Sequence, residues 1–257
     1  MNKVTLITGA TSGIGFELSK IFAKEPNDLL LVARNEDRLL KTKCFIEKNF
    51  KVKVYIIKAD LKEEEDIEYL IKFVKKNNLE VHNLINNAGF GSIGYFHEID
   101  KNWDLDMVKV NISALTILSK AFIPNMIKRG QGGVLNVAST AGFQGGPFMA
   151  VYYATKAYVL SLSEALSEEL KGTGVTVTAL CPGAVETEFQ KIAKVKKSKL
   201  AKKNIMKAKV VAEIGYNGFK KGKAIVVPGV KNKILIQILR ILPRTLVGKV
   251  IKKVNEK

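Results

Sequence analysis

Two side chains with proton-transfer chemistry stand four residues apart in the stretch Tyr152-Tyr153-Ala154-Thr155-Lys156. The stretch has helical period, so Tyr152 and Lys156 fall on one face. A free phenol has a pKa of about 10 and is a poor base at neutral pH. An ammonium beside it favours the phenolate and draws the pKa toward the working range of a general acid/base. Tyr153 lies about 100° further round the helix and cannot share that lysine equally well.

A second signal is Thr8-Gly9-Ala10-Thr11-Ser12-Gly13-Ile14-Gly15. It follows an apolar run and opens a helical segment, the context in which glycines let a backbone approach a pyrophosphate. The helix N-terminus adds amides and positive dipole. The spacing is G-x-x-x-G-x-G, not the G-x-G-x-x-G of most dinucleotide folds. Arg34 ends the second apolar run, where the adenosine ribose is met, and no Asp or Glu occupies positions 33 to 35. An acid there would bond a free 2′-hydroxyl, whereas arginine suits a 2′-phosphate, so NADP(H) is expected over NAD(H). Arg38, one turn on, can add a second cation. Asn86-Asn87-Ala88-Gly89 ends a further run, with small residues that let a cofactor lie against the backbone.

The elements that position these groups are short apolar strands alternating with longer helical segments. Strands are expected at 4–7, 29–33, 52–58, 84–86, 133–138, 175–180 and 224–227. Helices are expected at 13–24, 36–48, 63–76, 104–128 and 151–171. Strands apolar throughout, each followed by a crossover helix, predict an α/β fold: a three-layer, doubly wound parallel sheet of Rossmann type. One sizeable domain suits 257 residues.

Composition narrows the classes further. Two cysteines 137 positions apart and two histidines form neither a disulfide framework nor a metal site, so no metal is expected. A strand beginning at residue 3 leaves no room for a signal peptide, and a reducing cytoplasm is the expected compartment. The net charge of +18 is unevenly placed: residues 1–189 hold 22 basic and 22 acidic groups, residues 190–257 hold 20 and 2. Such asymmetry calls for an anionic partner or reflects a lysine-biased composition.

The glycine loop, Asn-Asn-Ala-Gly, Asn111, Ser139 thirteen residues before Tyr152, Lys156 and Pro182-Gly183 occur in one order at familiar intervals. Together they resemble the short-chain dehydrogenase/reductase family over roughly residues 3–230. Leu-Val-Ala-Arg-Asn-Glu-Asp-Arg-Leu and the Val227-Pro228-Gly229 region look like its bacterial NADP-type subgroup. The resemblance implies a seven-stranded Rossmann-type sheet and a nicotinamide cofactor. It implies Tyr152 as general acid/base, Lys156 lowering its pKa and bonding the nicotinamide ribose, and Ser139 polarising the substrate carbonyl. Asn111 would support a proton-relay water, Asp60 would meet the adenine amine and Thr187 would hold the carboxamide. Gly9, Thr11, Ser12, Gly13, Ile14, Gly15, Leu61, Asn87, Ala88, Gly89, Pro182, Gly183 and Val185 complete the expected cofactor contacts, with Arg34 and Arg38.

The implied activity is NADP(H)-dependent interconversion of a small-molecule carbonyl compound and a secondary alcohol, in a homodimer or homotetramer. An apolar or acyl substrate is expected from Phe90, Phe96, Phe143, Phe148 and Met149. The rival reading, a catalytically idle nucleotide-sensing or membrane-docking protein, would be marked by a lost Tyr, Lys or Ser, and all three are present. Residues 184–210 form the expected lid, with nine lysines in the nineteen residues 191–209. The tail 231–257 is basic and apolar but too short and charged to span a bilayer. Packing on a neighbouring subunit is the favoured reading for it; peripheral contact with the inner face of a membrane is the alternative. No nucleic acid is expected, since aromatics are absent from the basic cluster and no binding module appears.

Overall fold

The computed structural model describes residues 2–189 and 205–256. Seven parallel strands form one sheet: β1 (Asn2–Thr8), β2 (Asp28–Ala33), β3 (Val54–Lys58), β4 (Leu79–Asn86), β5 (Gly132–Val137), β6 (Val175–Leu180) and β9 (Ile225–Val226). Their order is β3-β2-β1-β4-β5-β6-β9, so the direction of winding reverses between β1 and β4. In open α/β sheets a ligand crevice lies outside the carboxyl ends of the strands at such a switch point. A separate pair, β7 (Val185–Glu186) with β8 (Met206–Lys207), sits beyond the end of β6.

Because strand residues alternate between faces, each strand feeds two cores. Val4, Leu6, Leu30 and Val32 pack with α3 (Glu64–Lys76) and α5 (Leu115–Arg129) through Leu70, Leu118 and Phe122. Ile7, Leu29 and Leu31 pack with α1 (Gly13–Phe22), α2 (Glu36–Asn49) and α7 (Ala208–Lys220) through Leu18, Phe22, Leu39 and Val211. Each such fully buried apolar side chain contributes about 1.5–3 kcal/mol. The crossover helix α6 (Ala150–Glu169) covers β5 and β6 with Val159 and Leu160.

Several boundaries differ from the sequence expectation. The long helix begins not at Asp104 but at Lys101, because the Asp100 carboxylate caps it, accepting from the amides of Asn102 (2.7 Å) and Trp103 (3.1 Å). That helix is α4 (Lys101–Val108), joined to α5 through one π-helical turn, Lys109–Ala114, which carries Asn111. The whole run Lys101–Arg129 is long and apolar enough to cross a membrane, yet its apolar face packs on the sheet. β4 starts at Leu79, five residues early; β3 starts at Val54; α1 stops at Phe22; and β9 shrinks to Ile225–Val226.

A buried polar chain ties the central strands to the crossover helices. Asn86 Nδ2 donates to Asn136 Oδ1 (2.9 Å) and Asn136 Nδ2 to Ser163 Oγ (2.9 Å). Ser163 and Ser119 return their protons to the carbonyls of Val159 and Leu115. Asn136 is wholly buried, so Asn136→Ala leaves polar partners unmet and a cavity behind. A loss of about 2–4 kcal/mol is expected from urea unfolding at unchanged m-value; a loss below 0.5 kcal/mol would contradict it.

The tail folds back on its own chain as α8 (Val230–Ile241) and α9 (Arg244–Asn255), broken at Pro243. Ile236, Val247 and Ile251 are buried. Part of the tail's apolar surface is thus buried within the chain itself.

Candidate active site

Four strand ends converge at the switch point: the loop after β1, residues 87–91 after β4, Ser139 after β5 and Pro182-Gly183 after β6. Gly9 has φ +64°, and a Cβ there would lie 2.9 Å from Asn87 Nδ2 and 3.0 Å from Ala88 Cα. A Cβ on Gly15 would collide with the Gly9 carbonyl and Asn87. These glycines therefore allow the first turn to sit against the β4 end and α1 to start close behind it. Asn87 holds the arrangement by donating to the carbonyls of Thr8 (2.9 Å) and Gly9 (3.1 Å). The Thr8 hydroxyl accepts from the amides of Asn87 and Ala88, both at 3.0 Å. The Asn-Asn-Ala-Gly stretch is thus a brace for the glycine loop as well as a small-residue surface.

The start of α1 leaves its first amides without a side-chain cap. Ser12 occupies the cap position with extended backbone and its side chain makes no capping bond. Its first turn holds no acid, and Thr11, Ser12, Gly13 and Ile14 are partly exposed. Thr187 reaches this point from the segment after β6: a Cβ on Gly13 would lie 2.8 Å from Thr187 Cγ2. Val185 is buried in β7, two residues before it.

Arg34 is exposed at the end of β2 and forms no ion pair among the described residues. Arg38 is already engaged. Its guanidinium grips both carboxylate oxygens of Glu188, at 2.6 and 3.1 Å, so a second cationic contact from Arg38 requires that acid to be shared or displaced. Asp60 accepts from the Lys62 amide (3.3 Å) beside the buried Leu61, and its own amide donates to Asp66 (2.7 Å).

On α6, Lys156 is 5% exposed and its Nζ donates to the Val137 carbonyl at 2.8 Å. The same Nζ lies 5.9 Å from the centre of the Tyr152 ring and 3.5 Å from where a Gly89 Cβ would stand. Burial lowers the Lys156 pKa to about 8, against a smaller upward pull from Cys181. Burial likewise pushes the Tyr152 phenol up to about 12, against a smaller downward pull from the Ser139 hydroxyl. Lys156 is not among the groups that set the Tyr152 pKa here; burial is the main cause. The ammonium donates to the Val137 carbonyl, and desolvation dominates the phenol. A phenol so placed is fully protonated at neutral pH, a donor and not a base.

Ser139 accepts from the Ala141 amide (3.1 Å) and reaches the Pro182 carbonyl (3.4 Å). The Pro182 carbonyl also accepts from the Thr140 amide (2.9 Å), joining the ends of β5 and β6. Asn111, in the π turn, has both amide protons committed, to Phe90 O and Thr155 Oγ1, each at 3.0 Å. Its Oδ1 accepts from the Phe90 amide (3.2 Å). The side chain thus clamps the loop after β4 to α6, and only a remaining Oδ1 lone pair is left for water.

Four contributors escape sequence reasoning. Phe189 stacks 5.3 Å from Tyr152 and also touches the position of a Gly91 Cβ, forming an apolar wall over the phenol. Trp103 packs on Phe90 at 5.2 Å and donates to the Gly91 carbonyl (3.3 Å). Asn255, at the end of α9, donates to the Pro147 carbonyl (2.9 Å) and accepts from the Tyr153 hydroxyl (3.5 Å). Tyr153 is thus turned to the tail and away from Lys156, as its helical position predicts. Asn232 of α8 lies against Gly183, 2.8 Å from a Cβ there. Of the expected apolar lining, Phe90 belongs to this wall and Met149 is buried at the start of α6. Phe148 pairs with Tyr95 at 5.0 Å; Phe143 packs under α6; Phe96 points to solvent. Residues 190–204 of the expected lid lie outside the described residues.

Comparison with known proteins agrees with this geometry. Residues 3–198 match the model of the family described as short chain dehydrogenase. A Streptomyces coelicolor protein named "Putative ketoacyl reductase" is 37% identical over 194 residues, 72% of each chain. A short-chain dehydrogenase from Sphingobium yanoikuyae, solved with NADPH, superposes with TM-score 0.82 at 28% identity, covering 95% of this chain and 97% of the other. A short chain dehydrogenase/reductase from Burkholderia phymatum, solved with NAD, gives 0.81 at 25% identity over 92% of each.

Proposed function

Because the chain belongs to the short-chain dehydrogenase/reductase family, and is an oxidoreductase of that family, we propose that it reduces a carbonyl compound with NADPH. The observation that carries this reading is a protonated phenol, Tyr152, walled by Phe189 and flanked by Ser139 and Lys156 at the switch point of the sheet. The residues present suit a dinucleotide: the uncapped α1 start and the glycine turn for the pyrophosphate, Arg34 for a 2′-phosphate, and Asp60 with Leu61 near the adenine. Ala88 and exposed Gly89 would line its middle, and Lys156, Val185 and Thr187 would hold the nicotinamide end. When bound, the cofactor supplies the hydride.

The protein's own part is positional and electrostatic. Ser139 and Tyr152 donate hydrogen bonds to the substrate oxygen, where negative charge develops. Tyr152 then gives up its proton to that oxygen, and the Lys156 ammonium stabilises the phenolate left behind. Phe189, Phe90 and Trp103 keep water from the reacting carbonyl and favour a substrate whose carbonyl is carried on an apolar chain, such as an acyl group. The ketoacyl reductase relative supports that substrate class.

This assignment fixes a pH dependence. Lys156 is an ammonium below about pH 8 and neutral above it, whereas Tyr152 keeps its proton to about pH 12. The reduction rate is therefore expected to be level through neutrality and to fall as pH rises through about 8. Alcohol oxidation needs the phenolate and does not rise over that range, because Tyr152 keeps its proton to about pH 12. A reduction rate that climbs above pH 8 would contradict the assigned roles.

A further inference from the structure

The tail spends only part of its apolar surface on the body of the protein. On α8, Ile236 is 3% exposed and faces inward, whereas Val230, Ile234, Ile238 and Ile241 recur at intervals of four, four and three on the opposite pole. Ile241 is 85% exposed. On α9, Val247 and Ile251 are buried while Leu246 and Val250, four apart, are exposed. A helix that turns its bulky aliphatic residues outward as well as inward exposes a patch that water does not favour.

Charge indicates what covers it. Residues 230–255 contain seven cations and no acid. None of the seven takes part in an ion pair among the described residues. A second copy laid on this face would bring seven more cations against these, with no acid on either helix to offset them. An anionic surface reverses the sign of that interaction. The arrangement is that of an interfacial helix: an aliphatic pole able to sink below the headgroups, with lysines on its flanks whose ammonium groups rise to the phosphates.

We propose that the outward face of α8 and α9 docks the protein on an anionic lipid bilayer. The proposal is independent of the oxidoreductase reading. It replaces the subunit-packing reading of the tail, because the inward apolar residues are satisfied within the chain and the outward ones are ringed by like charge. Docking also lies next to the site: Asn255 at the end of α9 holds Pro147 and Tyr153, and Phe148 beside Pro147 packs on exposed Tyr95.

The test is co-sedimentation of the full-length protein with vesicles of phosphatidylcholine alone or mixed with phosphatidylglycerol, with solution mass followed by light scattering. Binding to the mixed vesicles, absent on phosphatidylcholine alone, is expected. It weakens as salt shortens the Debye length from about 10 Å at 0.1 M to 3 Å at 1 M. Each cation near the surface is worth about fivefold in partitioning, so Lys249→Gln with Lys253→Gln lowers binding about twenty-fivefold. Ile234→Asp with Ile238→Asp, both exposed, abolishes binding with thermal unfolding and mass unchanged. Full-length protein that ignores the mixed vesicles at low salt overturns the proposal. So does a fall in mass on Ile234→Asp with Ile238→Asp, which would make this face an interface between copies.

Discussion

Tyr152→Phe is expected to lower turnover by about a hundredfold to ten-thousandfold, the usual contribution of a positioned general acid, while cofactor affinity changes little. The substitution removes one hydroxyl and leaves the ring against Phe189, so packing at the site is kept. Tyr153→Phe is the matched control. Its hydroxyl meets Asn255, not Lys156, and turnover should stay within a few-fold of the unsubstituted protein. Steady-state kinetics of both variants, with fluorescence titration of NADPH, check the pair. Loss at 153 with activity kept at 152 would mean that the wrong tyrosine has been assigned.

Arg34→Asp is expected to weaken NADPH binding about ten- to a hundredfold and to leave NADH binding nearly unchanged or improved. A charge-assisted contact to a phosphate contributes about 1.5–3 kcal/mol, which sets that range. Arg34 stands exposed at the end of β2 and without an ion pair among the described residues, so its loss costs the fold little. The same experiment on Arg38 should show a smaller selective effect, because Arg38 is held by Glu188 at 2.6 Å. Equal or tighter binding of NADH than NADPH by the unsubstituted protein would remove NADP(H) as the preferred cofactor.

The sheet and its crossovers were legible because short apolar strands alternate with longer helical segments, one of which carries acids at its start and lysines at its end. The glycine loop was legible for a local reason: its residue types answer to a backbone geometry that the loop alone dictates. What Asn87 does was not, because its partners Thr8 and Gly9 lie some eighty positions away and meet it only through the β1–β4 pairing. Phe189, Asn232 and Asn255 escaped for the same reason, being brought to the site by docking and not by spacing. The capping aspartate at 100 could have been found, since an Asp at a helix start is a sequence-level signal. The protonation of Tyr152 could not. Two residues at i and i+4 fix a shared helix face, but the pKa depends on how far the phenol is stripped of water and on where the ammonium points. Here Val137 takes the ammonium, which no interval in the sequence reveals.

The most direct test of the account is reduction of a panel of ketones and 3-oxoacyl thioesters, following NADPH consumption and alcohol formation together for the unsubstituted protein and for Tyr152→Phe. The account predicts that at least one apolar carbonyl compound is converted, one alcohol formed per NADPH consumed, and that Tyr152→Phe binds NADPH but forms no alcohol at a comparable rate. Conversion by Tyr152→Phe at the unsubstituted rate, or no conversion of any carbonyl compound by a protein that binds NADPH, would contradict it.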